Sequence, residues 1–322
     1  MIETSVWHPR TLVKVAQWHY EDDLTQADIA ERLGVSRSTV SRMLARSREE
    51  GYVRITIDAL GQEGLELEHR LEQRFGLDEA LVASTDDTGV SLYQTAADAL
   101  GQRLRENLRV GVSWGQSVAG VVNHIARQRT TSVTVVALAG GMADENQNLL
   151  SNTIALTLAN RWGAKAITMP APAIASSVAA CATLMQEPLV QDTLANARQV
   201  DVALVGIGVV QPQAHASTMA LMQYVDAATA DQLMRAGAVG DLCSRFFDRQ
   251  GHPVWSELDD RTVGIGFDDL KRIPVVIGVA FGTHKVGAIR AALSGHLINV
   301  LATDAATAEL LLQETRRKRV PS

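Results

Sequence analysis

Two cysteines in 322 residues, Cys181 and Cys243, are too few for a disulfide framework, and no Cys/His cluster has zinc-ligand spacing. That scarcity fits a reducing, cytoplasmic compartment and a chain with no metal and no cofactor. The opening Met1-Ile2-Glu3-Thr4 has neither the basic stretch nor the apolar run of a secretory signal. Long apolar runs are missing as well. The longest, Val133 to Ala143 and Ile273 to Gly282, span about ten residues against the ~20 of a spanning helix. They read as buried strands, and a membrane partner is excluded. Nor is there an excess of positive charge: 30 Lys+Arg against 36 Asp+Glu leave a net charge of −6, so the overall balance does not suggest nucleic acid.

What is present is unevenly placed. The length exceeds the ~100–200 residues of a typical domain, which predicts two domains, and the 46% hydrophobic content is that of a globular chain. Residues 1–57 are neutral overall, and the rest carries the negative charge. Yet Arg37, Arg42, Arg46, Arg48 and Arg54 crowd between Ser36 and Arg54 against only Glu49 and Glu50.

Leu12, Val15, Ala16 and His19 recur at helical spacing from Pro9 to Tyr20. Thr25 then caps a second helix, with Asp28 in the capping-box position and Ile29, Ala30 and Leu33 inside. Gly34 supplies a sharp turn, and Ser36 caps a third helix with Val40, Met43 and Leu44 inward. This is helix-turn-helix grammar, with Ile29, Leu33, Val35, Val40 and Met43 filling the core and small Ala30 at the crossing. The major groove is ~12 Å wide and admits one helix. We therefore expect Arg37, Ser38, Thr39 and Arg42 at base edges, Arg46 and Arg48 at phosphates, and Thr25, Gln26, Ser36 and Ser41 at the same DNA face. A helical bundle with a solvated basic face is the plainer alternative. Tyr52 to Ile57 alternates as a half-buried strand, either a wing against DNA or an exit strand.

Asp58 to Gly64 is glycine-containing and reads as the boundary, giving a DNA-binding domain over 1–57 and an effector and oligomerisation domain over 58–322. Leu67, Leu71 and Phe75 follow at every fourth residue, a stripe for a second subunit or for the domain's own core. Short apolar runs then alternate with helical stretches: 80–83, 109–113, 133–138, 166–169, 202–207, 275–280 and 299–302. Such continuous runs predict an α/β domain whose parallel sheet is covered on both faces.

In such sheets ligands bind beyond the carboxyl ends of the strands. Those ends carry Ser113-Trp114-Gly115-Gln116-Ser117, Gly140-Gly141, Gly206-Ile207-Gly208 and Phe281-Gly282-Thr283-His284-Lys285, with Gly240-Asp241-Leu242-Cys243-Ser244-Arg245 before the last. Glycines and hydroxyls at a helix start leave N–H groups free for a phosphate, and Lys285 would add charge. Trp114 offers a flat face to a sugar ring and Asp241 an acceptor to its hydroxyls. Together they predict a pocket for a sugar, polyol or sugar phosphate; singly each is a tight turn or a solvated charge.

Two enzymatic readings compete. Gly111-Val112-Ser113-Trp114-Gly115 fits the G-x-S-x-G elbow of hydrolases, with Asp241 and His284 or His296 as partners, but no oxyanion segment lies upstream. A sugar-phosphate isomerase or deaminase would need a base and its partner, and no pair of acids stands out. Neither explains the amino-terminal module, so we expect no catalytic residues.

The segment from Leu24 through Ala30 and Ser36 to Arg42 resembles the DNA-binding module of the SorC/DeoR family of bacterial sugar-responsive transcriptional regulators. The segments 111–115, 203–208, 240–248 and 285–293 resemble that family's effector domain, collinearly from about Leu12 to Leu312. The resemblance implies a Rossmann-like, phosphosugar-isomerase-like α/β domain that binds without catalysing. It also implies an operator-DNA partner, a small-molecule effector and a homo-oligomer, dimer or tetramer. By the same resemblance, Ser113–Ser117 and Lys285 hold a phosphate or its equivalent and Asp241 a sugar hydroxyl.

Overall fold

A computed structural model describes residues 7–20, 22, 24–53, 60–86, 88–130, 132–141, 149–210 and 227–313. It divides into two compact units, Met1–Ala59 and Leu60–Ser322.

Among the described residues the first unit holds three helices, α1 (Pro9–Tyr20), α2 (Gln26–Leu33) and α3 (Arg37–Glu49). They close over Leu12, Val15, Ala16, Ile29, Ala30, Val40, Met43 and Leu44. Thr25 and Asp28 form the predicted capping box, Gly34 takes φ 64° to end α2, and the Ser36 hydroxyl accepts the Thr39 N–H to open α3. The buried Ser47 hydroxyl donates to the carbonyls of Leu12 (3.1 Å) and Met43 (2.9 Å), tying α3 to α1. One expected core residue is not there. Val35 is 36% exposed: its N–H closes α2 on the Ala30 carbonyl, and its side chain is left outside. Tyr52 and Val53 are not in a strand, and 54–57 lie outside the described residues.

Among the described residues the second unit has ten strands: β1 (Glu79–Ala83), β2 (Arg109–Val112), β3 (Thr134–Ala137), β4 (Lys165–Ile167), β5 (Val202–Gly206), β6 (Gly208–Val209), β7 (Gly240–Leu242), β8 (Arg245–Phe247), β9 (Val275–Val279) and β10 (Val300–Asp304). Seven form one sheet in the order β1-β10-β9-β5-β2-β3-β4, every pair parallel. The helices are α4 (Leu60–Phe75), α5 (Val90–Gln102), α6 (Gln116–His124), α7 (Ser151–Trp162), α8 (Val178–Leu184), α9 (Pro188–Ala197), α10 (Ala227–Arg235), α11 (Glu257–Arg261), α12 (Phe267–Leu270), α13 (Val286–Ser294) and α14 (Ala305–Leu312).

Why the strands read as unbroken apolar runs is visible in β5. Val202 and Leu204 point into one core with α5, α6 and α7, while Ala203 and Val205 point into a second with α4, α13 and α14. Successive side chains serve opposite faces, and both faces are dry. The stripe Leu67, Leu71 and Phe75 packs into the second core, so it covers its own sheet. The segment read as a linker is helical from Leu60, with Gly61 and Gly64 inside α4.

At the sheet's edge, α4 also meets β1 through side chains. The Glu72 carboxylate accepts the Ala80 N–H at 2.9 Å and the Glu68 carboxylate the Val82 N–H at 2.8 Å. A helix step of four here matches a strand step of two, and the outward N–H groups of an edge strand are occupied instead of open to another chain.

Candidate functional site

From β2 the chain runs outward through β3 and β4, then returns to place β5 on the other side of β2. That reversal opens a crevice beyond the strand ends. The two ends are stitched together there: the Ser113 N–H donates to the Leu204 carbonyl (3.0 Å), and the Gly206 N–H donates to the Ser113 hydroxyl (3.3 Å). Gly115 then adopts φ 112°, a backbone conformation that side-chain-bearing residues rarely take, with open space where a Cβ would stand. It delivers the chain into α6, whose first turn holds no acidic side chain. The positive end of α6 opens on a cavity of about 280 Å³.

Ser113, Trp114, Gly115, Gln116, Ser117, Gly206, Gly208, Asp241 and Lys285 all line that cavity. Gly140 and Gly141 stand outside it. Gly140 donates its N–H to the Val263 carbonyl, and a Cβ on it would overlap the backbone of Pro172 and Ala173. It is a glycine because two chain segments cross there, a packing reason that looks the same in sequence as a binding loop. Tyr93, Ile207, Cys243, Phe281 and His284 complete the lining. Ile207, Cys243, Phe281 and His284 lie within the strand-end segments that predict the pocket, without a ligand role of their own there; Tyr93 lies outside those segments.

Asp241 arrives on a small antiparallel sheet, β6-β7-β8. β7 and β8 are joined through Cys243 (φ 52°) and Ser244 (φ 66°), a left-handed pair that returns the strand at once. Opposite Asp241 on β6 is Gly208. A Cβ at Gly208 would overlap the Asp241 carboxylate, so the glycine makes the acid's berth. Gly208→Ala displaces that carboxylate; we expect loss of effector binding with a destabilisation of about 1–3 kcal/mol, read by calorimetric titration alongside a thermal melt.

Burial pushes the Asp241 carboxyl up to about 6, against the pull of the Lys285 charge and of the Ser244 N–H. Lys285 is itself buried, donates to the Ile207 carbonyl at 3.1 Å, and is held below the usual lysine value by desolvation, with Asp241 opposing that shift. Burial pushes the Cys243 thiol up to about 12, which keeps it protonated and unreactive at neutral pH. The cavity thus joins one helix amino terminus, one ammonium and one carboxylate. Ser113, the nucleophile of the hydrolase reading, is 1% exposed with its hydroxyl against the Trp114 carbonyl and the Gly206 N–H. It is a structural hydroxyl. Among the described residues no group of three or more His, Cys, Asp or Glu could hold a metal, and no helix is long and apolar enough to cross a membrane.

In the first unit, Thr25, Gln26 and Arg37 share one open cleft where α2 and α3 both begin. Arg37, Ser38, Ser41 and Arg42 are exposed along α3, and Thr39 is half-buried. Four of the expected DNA contacts have internal hydrogen bonds: Thr25 Oγ1 donates to the Asp28 carboxylate (2.6 Å), and Ser36 Oγ shares hydrogen bonds with Ser38 Oγ and Thr39 Oγ1 (2.8 Å each). Arg46 pairs with Glu50 at 2.7 Å.

A helix-turn-helix unit in one chain with a ligand-sized pocket over the switch point of a doubly wound sheet defines a ligand-responsive DNA-binding regulator. Comparison with known proteins gives the same class. Residues 62–313 match the family model Sugar-bind ("Putative sugar-binding domain"), and residues 10–66 match a Crp-like helix-turn-helix domain. The chain is 35% identical to the sorbitol operon regulator of Klebsiella pneumoniae over 314 residues, covering 94% of this chain and 98% of that one. The crystal structure of that full-length regulator, SorC, superposes with a TM-score of 0.78 over the same shares of the two chains. The deoxyribonucleoside regulator of Bacillus subtilis is 30% identical over 314 residues, 94% of this chain and 97% of that one. The chain belongs to the SorC/DeoR family of sugar-responsive transcriptional regulators, and it is a DNA-binding regulator, not an enzyme.

Proposed function

We propose that this regulator reads operator DNA with α3 and changes its hold on that DNA when a sugar phosphate, or a sugar or polyol of similar size, fills the 280 Å³ cavity. One observation carries the choice of ligand. The start of α6, whose own first turn carries no acid, and the buried Lys285 converge on a single cavity that also holds the Asp241 carboxylate. The first two suit an anionic group and the third accepts hydrogen bonds from hydroxyls, which is the chemistry of a phosphorylated polyol at its two ends. The names of the relatives, regulators of a sorbitol operon and of deoxyribonucleoside use, support the same ligand class.

Residues 1–57 act as the DNA-reading domain and 58–322 as the effector and oligomerisation domain of a cytoplasmic homo-oligomer. Half-sites recur every ~34–36 Å along one face of the duplex, so a paired regulator loses simultaneous docking after a small rotation between subunits. A linkage of ~1–3 kcal/mol, about 5- to 150-fold in operator affinity, is typical of such switches. The test is fluorescence anisotropy on the DNA upstream of the protein's own reading frame, at fixed salt because phosphate contacts make affinity steeply salt-dependent. Sugars, polyols and their phosphates are added in turn. Specific binding shifted by a phosphorylated member is the expected result. Specific binding that no member moves would overturn the pocket assignment, and loss of all sequence preference would overturn the assignment of α3.

A further inference from the structure

The cavity has a wall that the polar chemistry does not use. Tyr93, on the first turn of α5, and Phe281, just beyond β9, meet edge to face with ring centroids 6.0 Å apart at 82°. Each ring is seated against a glycine. A Cβ on Gly120, one helical turn into α6, would stand 2.7 Å from three carbons of the Tyr93 ring. A Cβ on Gly89 would stand 2.7 Å from Phe281 Cζ. Each ring is packed directly on bare backbone at its glycine, in space that a Cβ would otherwise fill. The cavity they line, about 280 Å³, lies just below the ~300–1,000 Å³ usual for ligand pockets.

We propose that Tyr93 and Phe281 are the size-determining residues of this site, a rigid aromatic stop that restricts the effector to a single monosaccharide unit. The inference rests on the sugar-phosphate reading above and adds which residues set the upper limit. Two substitutions move that limit in opposite directions. Phe281→Ala removes part of the stop. Gly120→Ala lines no part of the cavity, forces the Tyr93 ring to shift, and is expected to drive it toward the cavity.

The probes are hexose 6-phosphates, pentose 5-phosphates and disaccharide phosphates, titrated calorimetrically into the full chain, with a thermal melt of each variant to establish folding. The wild-type protein is expected to take a monosaccharide phosphate and to refuse the disaccharides. Phe281→Ala should gain disaccharide affinity by about tenfold or more, the scale on which pocket volume discriminates. Gly120→Ala should lose hexose phosphates by a similar factor while pentose phosphates suffer less. Should Phe281→Ala misfold, the hexose-to-pentose ratio of Gly120→Ala decides alone. A wild type that binds no phosphorylated sugar defeats the pocket assignment itself. A wild type that binds one, with folded variants of unchanged selectivity, or that accepts disaccharides already, defeats the wall.

Discussion

Arg42→Ala lowers operator affinity by about 5- to 150-fold and leaves effector binding where it was. The magnitude is that of one good base contact, ~1–3 kcal/mol. The selectivity follows from the division of the chain, since Arg42 belongs to a unit with its own core of Leu12, Ile29, Val40 and Leu44, and the cavity is built from residues of the other unit. Two salt titrations give the result its meaning. A base contact leaves the slope of log affinity against log salt unchanged and relaxes sequence preference at one position, whereas a phosphate contact weakens all sequences alike and lowers the slope by ~1. Arg46→Ala should cost less than Arg42→Ala, because the Arg46 guanidinium must first leave Glu50 at 2.7 Å. Equal loss of DNA and effector binding in Arg42→Ala would show that the substitution unfolds the chain, and the division of labour between the units would fall with it.

The structure also shows where sequence reasoning reaches and where it stops. All seven strands of the large sheet were legible, the central ones because a strand dry on both faces must be apolar at every position, as in Val202-Ala203-Leu204-Val205. The helix-turn-helix was legible because Thr25, Asp28, Gly34 and Ser36 are caps and turns whose residue types are dictated by backbone chemistry. The β6-β7-β8 sheet was not. Its strands are two or three residues long, and its hairpin turns through Cys243-Ser244 instead of an Asn-Gly or Asp-Gly pair. Asp241 was nevertheless placed, since an acid between apolar residues near strand ends stands out whatever its backbone does. Gly140 and Gly208 show the limit for glycine: one clears room for a crossing chain and the other for a carboxylate, and only tertiary contacts tell them apart. Phe281 was legible as part of a strand end, but its pairing with Tyr93 was not, because the wall joins the start of a helix to a loop far along the chain.

Lys285→Met abolishes the effector response and also changes how the unliganded protein responds to pH. Removing one member of a buried, hydrogen-bonded set typically costs 2–5 kcal/mol in binding, about 30-fold or more in effector affinity. Operator affinity without effector should hold, because Lys285 belongs to the second unit and the DNA-reading helix to the first. The pH effect comes through Asp241. In the folded protein its carboxyl titrates at about 6, above the ~3.9 of an unfolded chain, so the fold binds that proton more tightly than the unfolded state does. The stability it contributes is therefore complete below about pH 4 and is lost as pH rises to 6, an amount of about 3 kcal/mol. Above pH 6 this group adds no further slope in the wild type. Lys285 is what restrains the shift. Without its charge the carboxyl titrates higher still, and the decline in stability should continue from pH 6 toward pH 8. Thermal melts of the unliganded proteins across pH 4.5–8 read this directly, and adding Asp241→Asn to Lys285→Met should flatten the curve. A decline that ends at the same pH with and without Lys285 would mean that the ammonium and the carboxylate do not share a field. The anionic half of the proposed ligand would then lose its electrostatic basis.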